Sequence, residues 1–251
     1  MGLFRWWGAR VAEQSNDSLW QGLYSLQMDG VNESVAIGNP LASYAGTEAI
    51  TYGMWLKIAS RSGTDVIIGN GTAFQNRSPI LVYTDADNSI NAGAFSYLGS
   101  LSRRTITFSF GDWHFLTVTK AAGTGTVVAY LDGASAGSAI ASAGTMNNTI
   151  DQTVGGATGT TGACSAMSVR DLFIVRGYEC DLSFHQGLYN SGSVKDFTSS
   201  LEGLGTARYY WEFGATGDDA TSGTGVIQDL FGTLNGTPAN TESGDLVADV
   251  P

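Results

Sequence analysis

Proline is scarce in this 251-residue chain, with four residues against thirty-four glycines, and no 20-residue apolar run occurs anywhere in it. The second absence excludes a membrane-spanning helix, which needs about 20 consecutive apolar residues. Basic residues are few: twelve Lys and Arg stand against twenty-three Asp and Glu, for a net charge of −11. A phosphate backbone would be repelled over most of such a surface, so nucleic acid is excluded as a partner and the charge serves solubility. Cysteine and histidine are nearly missing. Cys164 and Cys180 have no C-x-x-C spacing and only two histidines exist to join them, which excludes a zinc site. Two free thiols are the expectation for a cytosolic product, and a disulfide between them is the alternative. The first ten residues, "MGLFRWWGAR", are positively charged but lack an apolar core and a cleavage site, so they are not read as a signal peptide. Six N-x-S/T sequences then read as Asn- and Thr-rich turns rather than glycosylation sites.

What is abundant is turn chemistry between short β-forming runs. Gly, Ser, Thr and Asn alternate with "YSLQMDG", "SVAIG", "ITYGMWLKI", "DVIIGNG", "PILVYTD", "RTITFSF", "HFLTVTK", "TVVAYLDG" and "SVRDLFIVRG". Strands at this regular spacing predict an all-β sandwich or barrel. The stretch from His114 to Leu131 predicts a hairpin, with strands at His114–Lys120 and Thr126–Leu131 around a Gly/Thr turn. One short helix is predicted from about Ser183 to Tyr189, capped by Asn190 to Gly192. The expected organisation is an N-terminal arm over residues 1–22, a sandwich over 23–194, and a tail over 195–251 that adds strands to the sandwich or contacts neighbouring molecules.

Four segments carry a family resemblance. "SLQMDGVNESVAIG" resembles the opening strand pair of LamG-like members of the concanavalin A-like lectin/glucanase superfamily, and "TEAITYGMWLKI" resembles the inner strand that follows, with Trp55 directed into the core. "WHFLTVTKAAGTGTVVAYLDGASAGS" is similar to the central hairpin, with its Trp-His opening and terminal Y-x-D-G turn, and "VRDLFIVRGYECDLSFHQGLYNSG" to the closing strand and helix. The resemblance spans Ser25 to Gly192 and implies a two-sheet antiparallel jelly roll. "YYWEFGATGDDATSGTGVIQDLFGTLNGT" looks like a segment that precedes the domain in that family, whereas here it follows. The tail as a whole is similar to those of tailed-bacteriophage virion proteins that carry this fold.

Glucan hydrolysis on this fold needs two carboxylates facing one cleft, about 5 Å apart in a retaining mechanism. Glu179 and Asp181 come nearest to such a run, and the third acid is missing, so no enzymatic activity is expected. His114, behind Trp113 in a strand, and His185, on the short helix, are read as structural, because neither has a nucleophile motif beside it. Trp55, Trp113 and Trp211 sit at strand positions where burial is expected. Asp85, Asp87 and Asn88 in "YTDADNS" offer hard oxygens for a Ca2+ ion, and Asp218 and Asp219 form a weaker candidate.

Trp6 and Trp7, flanked by Arg5 and Arg10, form an adjacent aromatic pair that cannot both face an alternating core; they are read as an arm that grips a partner, against the alternative of a loosely packed terminus. The leading expectation is a non-enzymatic virion structural protein, a capsid decoration or tail-associated jelly roll, homo-oligomeric, held to capsid or other virion proteins by its ends and assembled in the host cytoplasm. The alternative is a carbohydrate-binding adhesin or receptor-binding module.

Overall fold

The strand "ITYGMWLKIAS" shows how this sequence builds its layers, because both of its faces are apolar. In the computed structural model, which describes residues 24–42, 44, 47–60, 63–69, 80–84, 89–95, 101–123, 126–138, 151–156, 165–232 and 234–251, it lies in the middle of a sheet. The arm residues Arg5, Trp6, Trp7 and Arg10, the loop residues Asp85, Asp87 and Asn88, and Cys164 lie outside the described residues.

In chain order the strands are β1 (Ser25–Asp29), β2 (Ser34–Gly38), β3 (Ile50–Ser60), β4 (Val66–Gly69), β5 (Leu81–Thr84), β6 (Ser89–Phe95), β7 (Leu101–Thr107), β8 (His114–Lys120), β9 (Val127–Leu131), β10 (Ala134–Ser138), β11 (Gln152–Gly155) and β12 (Ala166–Arg176). Helix α1 (Leu182–Tyr189) and a single turn, α2 (Thr198–Leu201), precede β13 (Ala207–Trp211), β14 (Thr237–Ala239) and β15 (Leu246–Val247). An eight-stranded sheet runs β10-β9-β8-β3-β12-β1-β15, with β13 also paired to β12; a seven-stranded sheet runs β14-β2-β11-β4-β5-β6-β7. The strand pairings are antiparallel, and the two sheets form a β-sandwich.

Alternation sorts the side chains. Tyr52, Met54, Leu56 and Ile58 of β3 meet Ile68, Val82, Ile90 and Leu116 between the sheets, where each buried aliphatic chain contributes about 1.5–3 kcal/mol. Tyr52 adds a polar tie, its hydroxyl directed at the carbonyls of Leu81 (3.2 Å) and Gly93 (2.9 Å) in the opposite sheet. Trp55 is buried, but not in that core. It belongs to a second cluster on the outer face of the eight-stranded sheet, with Phe115, Phe173, Phe197, Tyr210 and, from the helices, Leu188 and Leu201. Covering both faces of β3 erases the apolar/polar alternation that would have told the two faces apart. Gly53 permits this layer: a Cβ there would lie 2.6 Å from the Leu116 carbonyl oxygen and 2.7 Å from the Phe173 ring.

Residues 195–251 enter both sheets, β13 beside β12, β15 beside β1 and β14 beside β2. The exchange of partners along β12 occurs at a bulge, where the register shifts between Arg170 and Phe173 and Asp171 takes φ +53°. Arg170 is fully buried there, donating to Asp171 (2.9 Å), to Glu212 beyond β13 (2.9 Å) and to the Tyr24 carbonyl (2.6 Å). Burial pushes the carboxyls of Asp171 and Glu212 up, to about 6 and about 7, against the pull of Arg170. Trp113 is half-buried rather than enclosed, and its indole donates to Asp249 (3.2 Å), which also pairs with Lys57 (2.9 Å).

Gly53→Ala is expected to lower unfolding free energy by about 1–3 kcal/mol, because the carbonyl it meets cannot swing aside. A urea midpoint unchanged from the parent's would show that the outer aromatic layer has slack at this point.

Candidate functional site

The Asp-Gly turn of "YLDG" organises one rim of the sandwich. Asp132 (φ +48°) and Gly133 (φ +80°) are the two central residues of a hairpin loop between β9 and β10, and both occupy the left-handed region that a type I′ turn requires. The Asp132 carboxylate accepts from the Phe115 backbone N–H (2.8 Å) and from His114 Nδ1 (2.5 Å). His114 Nε2 in turn reaches Ser109, at 2.8 Å from Oγ and 3.2 Å from its carbonyl. Ser109, His114 and Asp132 therefore stand in the order of a nucleophile, a base and an orienting acid. The chemistry differs from that of a triad, because the Ser109 hydroxyl also has Asp112 within 3.2 Å and the ring nitrogen facing it can donate to the carbonyl. Half-burial pushes the imidazolium down, and Asp132 with the Ser109 carbonyl outweighs it, so His114 holds its proton above the ordinary histidine range. The result is a charged clamp between the β7–β8 connection and the β9–β10 turn.

His185 is the opposite case. It is fully buried on α1, its Nε2 accepts the Gly133 N–H (2.9 Å), and Nδ1 must then carry the proton that it donates to Thr117 Oγ1 (2.9 Å). Burial pushes it down to about 4, so it is neutral, and with Gln186, which donates to the Gly133 carbonyl (2.9 Å), it fastens the helix to the turn.

The acids singled out in the sequence are dispersed. Asp181 is the N-cap of α1, accepting from the Phe184 N–H (2.8 Å). Asp218 accepts from the N–H groups of Gly214 (2.8 Å), Ala215 (3.0 Å) and Gln228 (2.8 Å), while Asp219 closes its own loop onto Thr221. Among the described residues no three His, Cys, Asp or Glu side chains gather as metal ligands. Cys180 is a free, buried thiol pushed up to about 12 by burial, which makes it a poor nucleophile.

The polar chemistry that faces outward lies instead on β7, the terminal strand of the seven-stranded sheet. A cleft of about 330 Å³ opens where β7 faces β10, the terminal strand of the other sheet. Arg104 crosses it, donating from Nε to the Ala136 carbonyl (2.8 Å). Its guanidinium lies against Gly137, where a Cβ would sit 3.0 Å from Nη2. The cleft is also lined by Thr105, Thr107 and Ser135, with Ile106 and Leu131 as its apolar part. On the other face of β7, Arg103 donates to the Tyr83 hydroxyl and lies over that ring. Thr105 Oγ1 donates to Asn91 Oδ1 (2.7 Å), which leaves its lone pairs free to accept, and the Asn91 amide nitrogen is buried without a partner. The sequence reading passed over Arg103 and Arg104. An adjacent basic pair in so acidic a chain was the signal, but its place at a sheet edge depends on strand order.

These features sit on a framework with known relatives. A family model for the concanavalin A-like lectin/glucanases superfamily, Laminin_G_3, matches residues 29–168, more than half of the chain. The chain belongs to that superfamily. No curated protein sequence matches it. Among solved structures, a protein from Bacteroides ovatus, provisionally described as a carbohydrate binding protein, is similar with TM-score 0.63 at 14% identity, over 90% of this chain and 61% of that one. The chain thus spans about six-tenths of that protein's length. A heptameric SAP-like pentraxin of Limulus polyphemus is similar with TM-score 0.44 at 13% identity, over 64% of this chain and 83% of that one. The binding domain of botulinum neurotoxin serotype C1 gives TM-score 0.46 at 18% identity, over 61% and 38%. At 14% identity the likeness to the Bacteroides ovatus protein is one of fold.

The two histidines of this superfamily member are expected to act on stability with opposite signs. An unfolded histidine titrates near about 6.5. The His114 contribution is complete below that value and is lost as pH rises through its raised folded pKa; the His185 contribution is complete above it and is lost as pH falls towards about 4. Ring-proton NMR titration checks both, and two rings titrating together near about 6.5 would dissolve the clamp. The unfolding free-energy gap between the parent and His114→Asn should be wider at pH 6 than at pH 9.

Proposed function

We propose that the chain is a non-enzymatic carbohydrate-binding module whose saccharide contacts run along the β7 edge and into its cleft with β10. The observation that carries this is the Arg104 guanidinium, held in place by the Ala136 carbonyl and the bare backbone of Gly137, in a cleft between the two sheet edges whose lining includes apolar Ile106 and Leu131. A sugar presents the complement, a ring with apolar C–H faces and a rim of hydroxyls, and fixed donors bind it without the entropy cost of ordering side chains first. The pre-set Thr105 hydroxyl is an acceptor of the same kind. No carboxylate is among the described residues lining the cleft, so binding rather than glycosidic cleavage is its reading. The description of the Bacteroides ovatus protein supports this at the level of fold. Attachment to a virion remains a proposal resting on Arg5, Trp6, Trp7 and Arg10, and the sandwich adds no observation to it.

A glycan array probed with the purified chain is expected to show saturable binding to a defined set of saccharides. Arg104→Ala should weaken it by about tenfold or more, the worth of a charge-assisted hydrogen bond. Thr105→Val should weaken it less, with both variants unfolding at the parent's temperature. Absence of binding by the parent, or full binding by Arg104→Ala, would remove the β7 edge from the proposal. The same array with a chelator tests the loop at Asp85, Asp87 and Asn88: retained binding leaves no part for a Ca2+ ion.

A further inference from the structure

Of the arginines among the described residues, Arg103, Arg104, Arg170 and Arg176 each donate to an oxygen within the protein. Arg208 does not. Its guanidinium makes no ion pair or hydrogen bond, and its Nε is buried without a partner. The side chain lies over the ring of Phe231, 5.2 Å from the centroid, and lines a recess of about 300 Å³ with Thr206, Ala207, Tyr209 and Phe231. The recess follows the edge of β13 away from β12, where among the described residues the one β-bridge to another segment is that of Trp211, at the strand's end, to Asp229. This is the outer side of the eight-stranded sheet, since Arg208 pairs with Val175 of the outer cluster, and it is separate from the β7 edge of the other sheet.

We infer that this recess is a second ligand site, specific for a saccharide bearing a carboxylate. An unpaired guanidinium is a planar fork of donors matched to a two-oxygen acceptor. A chain of net charge −11 repels anions at long range, which penalises a doubly charged phosphate more than a singly charged carboxylate. The recess is larger than a carboxylate alone would fill. Of its remaining walls, the Phe231 ring offers an apolar face to a sugar ring. The Phe231 ring also limits how far the guanidinium can turn, so the charge is presented in one orientation.

Saturation-transfer NMR and calorimetry with methyl β-glucuronide, methyl β-glucoside, inorganic phosphate and a short Glu-rich peptide test the assignment. The glucuronide is expected to bind at millimolar concentration and the glucoside about tenfold more weakly or not at all. Arg208→Gln should abolish the preference and Arg208→Lys, which keeps the charge and loses the fork, should retain only part of it. Phe231→Leu should weaken the glucuronide while leaving the fold intact by circular dichroism. The variant Arg208→Gln should keep the parent's glycan-array binding at the β7 edge, so that failure at the β7 edge and failure here are told apart. Equal binding of glucoside, glucuronide binding undiminished in Arg208→Gln, no glucuronide binding by the parent, or tighter binding of phosphate or peptide would each overturn the inference.

Discussion

Two consecutive residues in the left-handed region, Asp132 and Gly133, hold more of this molecule than their size implies. A two-residue loop with that geometry sets the register of β9 against β10 by itself. The carboxylate of the first then fixes the start of β8 through the Phe115 N–H and the clamp with His114, and the backbone of the second is gripped by His185 and Gln186 from α1. Gly133 also lies so near Tyr189 that a Cβ would fall 2.9 Å from its ring. Three strands and the covering helix thus share one reference point. With β10 held there, its Ala136 carbonyl and Gly137 backbone are in place to receive Arg104 across the cleft.

The outer layer follows from the same economy of contacts. A sheet has two faces, and a small two-layer sandwich leaves the outer ones wet. Here the eight-stranded sheet is covered on its outer face by an aromatic cluster under α1 and α2, and the cost of that cover is polar groups caught within it. The Arg170 knot meets this cost by satisfying all three faces of one guanidinium, with two carboxyls whose raised affinity for protons lets one remain neutral. Trp55 does not fully meet it, since its indole nitrogen is buried without a partner.

Local signals were the readable ones. The hairpin of β8 and β9 could be placed because alternation and turn chemistry are carried by neighbours in sequence, and the Asn190 cap of α1, at φ +49°, is visible for the same reason. The two-sheet fold came from four such segments in order. Trp55 was assigned to the core because a strand buried on both faces has no alternation to read. The candidate sites were illegible for a related reason. Arg103, Arg104 and Arg208 look like ordinary strand residues, and what sets them apart is that β7 and β13 have an open side, a property of strand order over the whole chain. Asp218 and Asp219 looked like ligands because loop-bracing carboxylates and ion-binding ones share composition.

The pairing of Ser25 with Val247 joins residues more than two hundred positions apart. Strand β1 therefore keeps a bare edge until the segment around Leu246 has left the ribosome, and the hydroxyl of Ser25 waits as long for the Asp249 carbonyl that it reaches at 2.6 Å. Such a topology delays closure of that edge until the segment around Leu246 has been made, and leaves the nascent chain in need of shielding until then.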